Sequence, residues 1–242
     1  MILIETLKEF IYQEQFKPRF LGLFVNPFYF ARKGLYLHIR SLSSLVTGRI
    51  LDVGCGQKPY ESLFDVTEYI GLEIDTPENH LYKKADHFYD GETFPFYDSS
   101  FDGVICNQVL EHVFNPDRFL MEVNRVLKHQ GTLLLTVPFV WDEHEQPYDY
   151  ARYSSFGLKY LLEKHGFEIL EHRKSMADIR AIFQLLTGLI YKKTFTKNNL
   201  INLLITIALI SPFNIIGEFA SCLLPRNDDL YLDNIFLAKK VT

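Results

Sequence analysis

The segment Gly48-Arg-Ile-Leu-Asp-Val-Gly-Cys-Gly-Gln-Lys-Pro59 limits what this chain can become more than any other stretch. Ile50, Leu51 and Val53 form a short apolar run, the pattern of a buried parallel strand. The run meets Gly54 and Gly56 with only Cys55 between them. Two glycines so spaced permit a sharp turn and let a ligand approach bare backbone. A helix starting beyond the turn would aim its unpaired N–H groups at that ligand. Taken alone, the pair also fits a plain strand-to-helix turn. Tyr69-Ile-Gly-Leu-Glu-Ile-Asp75 tips the balance, because it reads as a second strand ending in acid. Glu73 stands roughly 20 residues past the glycines, where nucleotide-binding folds place a carboxylate against ribose hydroxyls.

Around this turn the chain alternates. The pattern predicts strands near 50–53, 68–72, 82–86, 101–106 and 131–137, with helices after the first, second and fourth. Asn115-Pro116 opens a helix carrying Phe119, Leu120, Val123, Val126 and Leu127, and Gln130-Gly131 stops it. Ser154-Ser155 caps another helix that ends at His165-Gly166, and a sixth strand follows from Phe167 to about His172. Such alternation implies a parallel sheet covered on both faces.

The flanks differ. Ile4, Leu7 and Ile11 have helical spacing, and after Asn26-Pro27 a second helix is predicted from about Tyr29 to Val46. Between the sixth strand and a last one at Tyr231–Lys240 lies strongly apolar sequence. Ile182, Phe183, Leu185, Leu186, Leu189 and Ile190 make one helix; Leu200–Ile210 and a stretch from Ile215 to Leu224 make two more, parted by Ser211-Pro212. Each of these halves falls short of the ~20 apolar residues that span a bilayer, so no transmembrane helix is expected. Lys192, Lys193 and Lys197 beside the apolar run suit contact with an anionic membrane surface. A dimer interface or an enlarged core are the other uses for this face. The domain reading is 1–47 as a helical cap, 48–176 as the ligand-binding core, 177–228 as an apolar insertion and 229–242 as the closing strand.

A hydrophobic share of 48% in 242 residues supplies ample core material, and a net charge of −5 argues against nucleic acid as partner. Cys55, Cys106 and Cys222 are too scattered for a disulfide framework or zinc site. With no basic region ahead of an apolar start, the expected setting is the cytoplasm, at the inner face of a membrane where the insertion touches one.

Leu51-Asp-Val-Gly-Cys-Gly56, Ile70-Gly-Leu-Glu73, Asp90-Gly91, Phe94-Pro-Phe96, Ser100-Phe-Asp102 and Val109-Leu-Glu-His-Val113, in that order, resemble the class I S-adenosylmethionine-dependent methyltransferases of the methyltransferase type 11 kind. The resemblance covers residues 48–172 and implies an α/β Rossmann-like fold. Its sheet would be seven-stranded and mostly parallel, with helices on both faces and an antiparallel last strand. It also implies S-adenosyl-L-methionine as cofactor. On that resemblance Asp52, Gly54 and Gly56 match the glycine signature, with Cys55 between them. Glu73, beside Ile74, would take the ribose diol, Asp90 and Gly91 the adenine, and Asn107 and Gln108 the methionine end. The chain departs from the signature at the third glycine, where Lys58-Pro59 stands.

Methyl transfer is an in-line displacement that needs an aligned acceptor and, for a hydroxyl or amine, a base. Glu111, His112 and His144 are candidates, all near the carboxyl edge where open α/β sheets bind ligands. His144, Asp149 and Arg152 are candidate acceptor-binding residues; Asp149 and Arg152 also suit a simple ion pair. No metal is expected, because Gln108 fills the first position of the Glu-x-x-Glu-His cluster with which some relatives hold one. The expected acceptor is a small molecule, a sugar or a lipid- or nucleotide-linked glycan on family grounds. The alternatives are a nicotinamide-dependent oxidoreductase or epimerase, disfavoured because Pro59 replaces the glycine its fingerprint needs, and a non-catalytic membrane-associated protein with a relic fold.

Overall fold

The computed structural model describes residues 2–242, with side chains from residue 9 onward. The predicted apolar stripe through Ile4 and Leu7 lies outside the described side chains; the backbone there belongs to helix α1, Ile2–Phe16. The chain divides into two compact units, residues 38–173 with 234–242, and residues 1–37 with 174–233.

The first unit is built on a sheet of seven strands among the described residues: β1 Arg49–Val53, β2 Glu68–Ile74, β3 His87–Tyr89, β4 Phe101–Asn107, β5 Leu127–Pro138, β6 Phe167–Lys174 and β7 Asp233–Lys240. Their spatial order is β3-β2-β1-β4-β5-β7-β6. The pairs β1–β2, β1–β4, β2–β3 and β4–β5 are parallel. At β6–β7, Val241 N donates to Gly166 O at 2.9 Å and Ser175 N to Asp233 O at 2.9 Å, the crossed register of an antiparallel pair. Alternate residues face opposite ways along each strand. One set, including Leu51, Leu72, Val104 and Leu135, packs with Phe119, Leu120 and Val123 of α5 (Pro116–Val126) and with Leu158 and Leu162 of a later helix, Ser155–Lys164. On the other face Val46 presses so close to Gly103 that a Cβ there would lie 2.6 Å from its Cγ1. Ile50, Ile105 and Leu134 are buried on that side. Each fully buried aliphatic contributes ~1.5–3 kcal/mol, which is why the strands are apolar on both faces.

Asn115 caps α5 by accepting from Arg118 N at 3.1 Å, with Pro116 in the first turn. Ser154 does the same for the Ser155–Lys164 helix through Gly157 N at 3.2 Å. Three expectations need correction. No α-helix follows β1; only a 3-10 turn forms at Glu61–Leu63. Lys58 has φ 51°, a left-handed conformation that cannot be part of a right-handed helix. The strand expected at 82–86 lies later, at His87–Tyr89, because Thr76 caps a helix at Pro77–Tyr82 through Asn79 N at 3.1 Å. The strand expected at 131–137 begins at Leu127, directly where α5 ends.

The second unit is helical: α1, α2 (Gly22–Val25), the first part of α3 (Tyr29–Leu42), then a hairpin. Numbering the helices Pro77–Tyr82 as α4 and Ser155–Lys164 as α6, the hairpin consists of α7 (Arg180–Thr194), α8 (Asn199–Ile205), a π-helical turn at Thr206–Ile210 and α9 (Ser211–Leu223). Ser211-Pro212 was expected to break the chain; instead Asn199–Leu223 is one continuous 25-residue helical run. The π turn widens the ladder just before Pro212, which occupies the first turn of α9 and so forfeits no needed bond. The run is long and apolar enough to cross a membrane by length and composition. This overturns the reading of two short halves.

Candidate active site

Parallel strand order reverses between β1 and β4, and in open α/β sheets the crevice beyond the carboxyl ends at such a point binds ligands. Register sets Val53 opposite both Leu72 and Cys106, so the glycine turn, Glu73 and Asn107 all emerge at that edge. Gly54 N and Cys55 N donate to Leu72 O at 2.8 and 3.3 Å, folding the turn over β2. Gly54 and Gly56 have φ of 69° and 56°, a region glycine enters without steric cost. Their surroundings differ. A Cβ on Gly54 would meet Val109 Cγ2 at 2.3 Å, whereas one on Gly56 meets nothing within 4 Å.

Glu73 closes the turn. It is buried, and its Oε1 accepts from Gly56 N at 2.7 Å. One such bond uses one of about four lone-pair sites on a carboxylate, which leaves acceptors for a diol. Asp52 lies beneath, buried, with Tyr69 donating its hydroxyl to Oδ2 at 2.6 Å. Burial pushes the Asp52 carboxyl up to about 7, partly countered by the Tyr69 bond. Burial likewise raises the Cys55 and Cys106 thiols, so both are inert packing groups. Lys58, at the departure from the signature, is drawn aside: its Nζ pairs with Asp86 Oδ2 at 2.5 Å. The same Oδ2 accepts from Gly71 N at 2.7 Å.

Ile74 is exposed beside Glu73, and its pairing with Tyr89 brings Asp90 and Gly91 to the same edge. Asp90 Oδ1 accepts from Glu92 N at 2.8 Å and Thr93 N at 2.9 Å, bonds that hold its carboxyl below the usual range. Gly91 has φ 86° and open space at its Cβ position. Asn107 Oδ1 accepts from the Thr136 hydroxyl at 2.6 Å, and Gln108 Nε2 donates to Thr136 Oγ1 at 3.3 Å. Sequence reasoning missed Tyr69, Asp86 and Thr136. Each acts on a predicted residue from a neighbouring strand or its flank, a relation that only register reveals.

The acceptor candidates also converge. Glu111, in a 3-10 turn at Leu110–His112, is fully buried. His112 Nδ1 lies 2.8 Å from Tyr148 O. A carbonyl only accepts, so Nδ1 carries a proton and Nε2 is the nitrogen left to exchange one. That Nε2 is 3.8 Å from Glu111 Oε1. The His144 ring stands edge-on to His112 with centroids 4.7 Å apart. Burial, then the neighbouring His112, holds the His144 imidazole below its ordinary value, so it is neutral at pH 7. Arg152 grips Asp149 with two bonds, of 2.6 and 2.7 Å, and also donates to Asp142 O at 2.9 Å and Ala151 O at 2.7 Å. Held by Arg152, the Asp149 carboxyl drops to about 2. Asp149 Oδ2 in turn accepts from His144 N at 2.9 Å. Tyr150 N and Ala151 N donate to Glu111 O at 2.8 and 3.2 Å, tying this loop to the turn after β4.

The cluster offers two chemistries. A neutral imidazole beside a buried carboxylate suits proton removal. The ligand atoms of Glu111, His112 and His144 also lie within 4.8 Å of one another, a one-carboxylate, two-imidazole donor set that suits a divalent metal. Gln108 takes no part in it. For S-adenosyl-L-methionine the residues fit: Gly56 and Gly91 present bare backbone to open space, and Glu73 has acceptors to spare.

Residues 51–135 match the family model described as a methyltransferase domain. The O-methyltransferase rstn1 of Aspergillus nomiae is 28% identical over 163 residues, which cover 57% of this chain and 71% of that protein. An uncharacterized methyltransferase of Mycobacterium leprae is 31% identical over 143 residues, 55% of this chain and 52% of that one. The chain spans about half the length, or less, of most of the curated relatives it matches. Among solved structures, Haemonchus contortus phosphoethanolamine N-methyltransferase 2 in complex with S-adenosyl-L-methionine aligns with a TM-score of 0.55 at 19% identity, over 96% of this chain and 59% of that one. That likeness speaks to the fold.

Proposed function

We propose that this chain is a class I S-adenosylmethionine-dependent methyltransferase that transfers a methyl group to an oxygen or nitrogen of a small-molecule acceptor, a reading supported by the methyltransferase-domain match and the similar O-methyltransferase. The observation that carries this reading is the clasp of Glu73 on Gly56 N at 2.7 Å, at the switch point of the sheet, with open space beside Gly56. S-Adenosyl-L-methionine, when bound, supplies an electrophilic methyl on a charged sulfur. Glu73 takes the ribose hydroxyls, Asp90 and Gly91 face the adenine, and Asn107 and Gln108, both braced by Thr136, line the amino-acid end. His112 accepts the acceptor's proton at Nε2, since Nδ1 is committed to Tyr148 O at 2.8 Å. Glu111, buried beside it, stabilises the imidazolium that results. His144 packs edge-on against His112, and the Asp149–Arg152 pair fixes the loop that carries it.

The acceptor class in this reading is a sugar or a lipid- or nucleotide-linked glycan, met at a membrane face through residues 177–224. The relatives' O- and N-methyltransferase names support a polar acceptor atom and leave its carrier open. The test is transfer of labelled methyl groups into extracts, followed by partition between aqueous and organic phases. Label in a polar-lipid or sugar-nucleotide fraction, lost in Glu73→Ala, supports the proposal. Label in neither phase, from protein that binds the cofactor, removes it.

A further inference from the structure

Two helices of the second unit are inside out. Along Asn199–Leu223 the buried side chains are Asn202, Thr206, Ile210, Ser211, Asn214 and Gly217, polar or small with one exception. The outward ones are Leu200, Leu204, Ile207, Leu209, Ile216 and Phe219, spread over more than half the circumference of the helix. The partner helix α7 repeats the inversion: Gln184, Thr187 and Gly188 are buried, while Ile182, Leu186 and Leu189 are exposed. Much of this polar interior is hydrogen-bonded to backbone. Asn214 Nδ2 donates to Leu23 O and Asn26 O at 3.0 and 3.1 Å. Gln184 accepts from Ala31 N at 3.0 Å and donates to Pro27 O at 3.1 Å. Gly217 admits Phe30, whose Cζ would lie 2.7 Å from a Cβ there.

Water-soluble helices bury their large aliphatics, whereas helices in lipid pack through small and hydrogen-bonding residues and turn their aliphatics outward. We infer that this unit is embedded in the hydrocarbon of a lipid bilayer, beyond the surface contact that its lysines alone suggest. The inference is independent of the methyl-transfer reading. Embedding is from one side. β6 precedes and β7 follows the hairpin, and they are hydrogen-bonded neighbours in one sheet, so the segment leaves and returns on the same side. A hairpin that spanned would need α7 to cross too, and 15 residues reach only about 22 Å of the ~30 Å hydrocarbon thickness. Lys192, Lys193 and Lys197, exposed where the chain turns from α7 into α8, belong at the headgroups, so the hairpin lies along the membrane plane with its apolar surface sunk into the hydrocarbon. A second copy of the chain is the rival occupant, but a flat interface covers one side of a helix, and here the apolar surface wraps around it.

The test uses the full chain labelled with an environment-sensitive fluorophore on Cys222, the exposed cysteine on α9, since Cys55 and Cys106 are buried. Vesicles are phosphatidylcholine and phosphatidylglycerol at 3:1, with bromine at shallow or deep acyl positions. Embedding predicts a several-fold rise in emission, stronger quenching by acyl-chain bromine than by an aqueous quencher, and no quenching by bromine of a label placed at Tyr160→Cys in the sheet unit. Ile207→Lys with Ile216→Lys should lower vesicle partition at least tenfold and leave S-adenosylhomocysteine affinity unchanged. Unaltered emission with vesicles, whether the chain sediments as a monomer or as a dimer covering this face, overturns the inference.

Discussion

Alanine at Gly54 and, separately, at Gly56 would put the same methyl group into two unlike surroundings. Both glycines lie in the left-handed region, φ 69° and 56°, where an L-residue costs ~1–2 kcal/mol. At Gly54 the new Cβ would also lie 2.3 Å from Val109 Cγ2, far inside the 3.5–4.0 Å of an ordinary carbon contact. Val109 is β-branched and packs against the core, so it has little freedom to turn away. Overpacking of this sort costs ~1–3 kcal/mol. Gly54→Ala should therefore lose about 2–5 kcal/mol in urea denaturation, or roughly 5–15 °C in Tm for a chain of this size. Gly56→Ala carries only the backbone cost, ~1–2 kcal/mol, because nothing lies within 4 Å of its Cβ position. Its methyl instead fills space assigned to the cofactor, and S-adenosylhomocysteine affinity should fall at least tenfold by calorimetric titration. Combining Gly54→Ala with Val109→Ala removes the clash, so a double-mutant cycle should give a coupling of ~1–3 kcal/mol. Coupling below about 0.5 kcal/mol, or a Gly56→Ala protein that binds like wild type, would refute this reasoning.

Other outcomes follow from the same geometry. Asp52 has a native carboxyl near 7 against 3.8 when unfolded, so the folded chain holds an extra proton between those values; stability should fall as pH rises from about 4 to 7, and Asp52→Asn should flatten that slope in urea titrations. Asp149, at about 2, has the opposite sign: its contribution is complete above the ordinary carboxylate range and fades as acid protonates it, a dependence that Arg152→Ala should erase. Arg152→Ala also removes the bonds that close loop 141–152, at ~1.5–3 kcal/mol, and should speed proteolysis there and raise the acceptor KM; because Arg152 acts through Asp149, adding Asp149→Ala should do little more. Because His112 takes the acceptor's proton at Nε2, His112→Gln should abolish the acid limb of kcat/KM, whereas His144→Gln should leave a limb in place.

The parallel core was legible because its signals are local. Apolar runs, the caps at Asn115 and Ser154, and the glycine pair each specify structure within a few residues. The missing helix after β1 was half legible: Lys58-Pro59 was visibly a departure, but its left-handed φ and its pull toward Asp86 depend on the neighbouring strand. The Ser211-Pro212 break failed because one π turn absorbs the proline, and such turns leave no mark in apolar periodicity. Periodicity separated the two faces of that helix without saying which is inside; the buried row of Asn202, Thr206 and Asn214 answers that in three dimensions. Glu111 and His144 were each found as candidates, yet their meeting depends on the loop after β5 returning to the turn after β4.

The claim on which the catalytic account rests is that the glycine turn and Glu73 together hold an adenosine carrying a sulfonium. Isothermal titration of the full chain with S-adenosylhomocysteine and, in parallel, with NAD tests it most directly. Saturable one-site binding of the first, abolished by Glu73→Ala, and no heat from the second is the predicted result. Binding of NAD, or an S-adenosylhomocysteine titration with no heat at millimolar ligand, would contradict it.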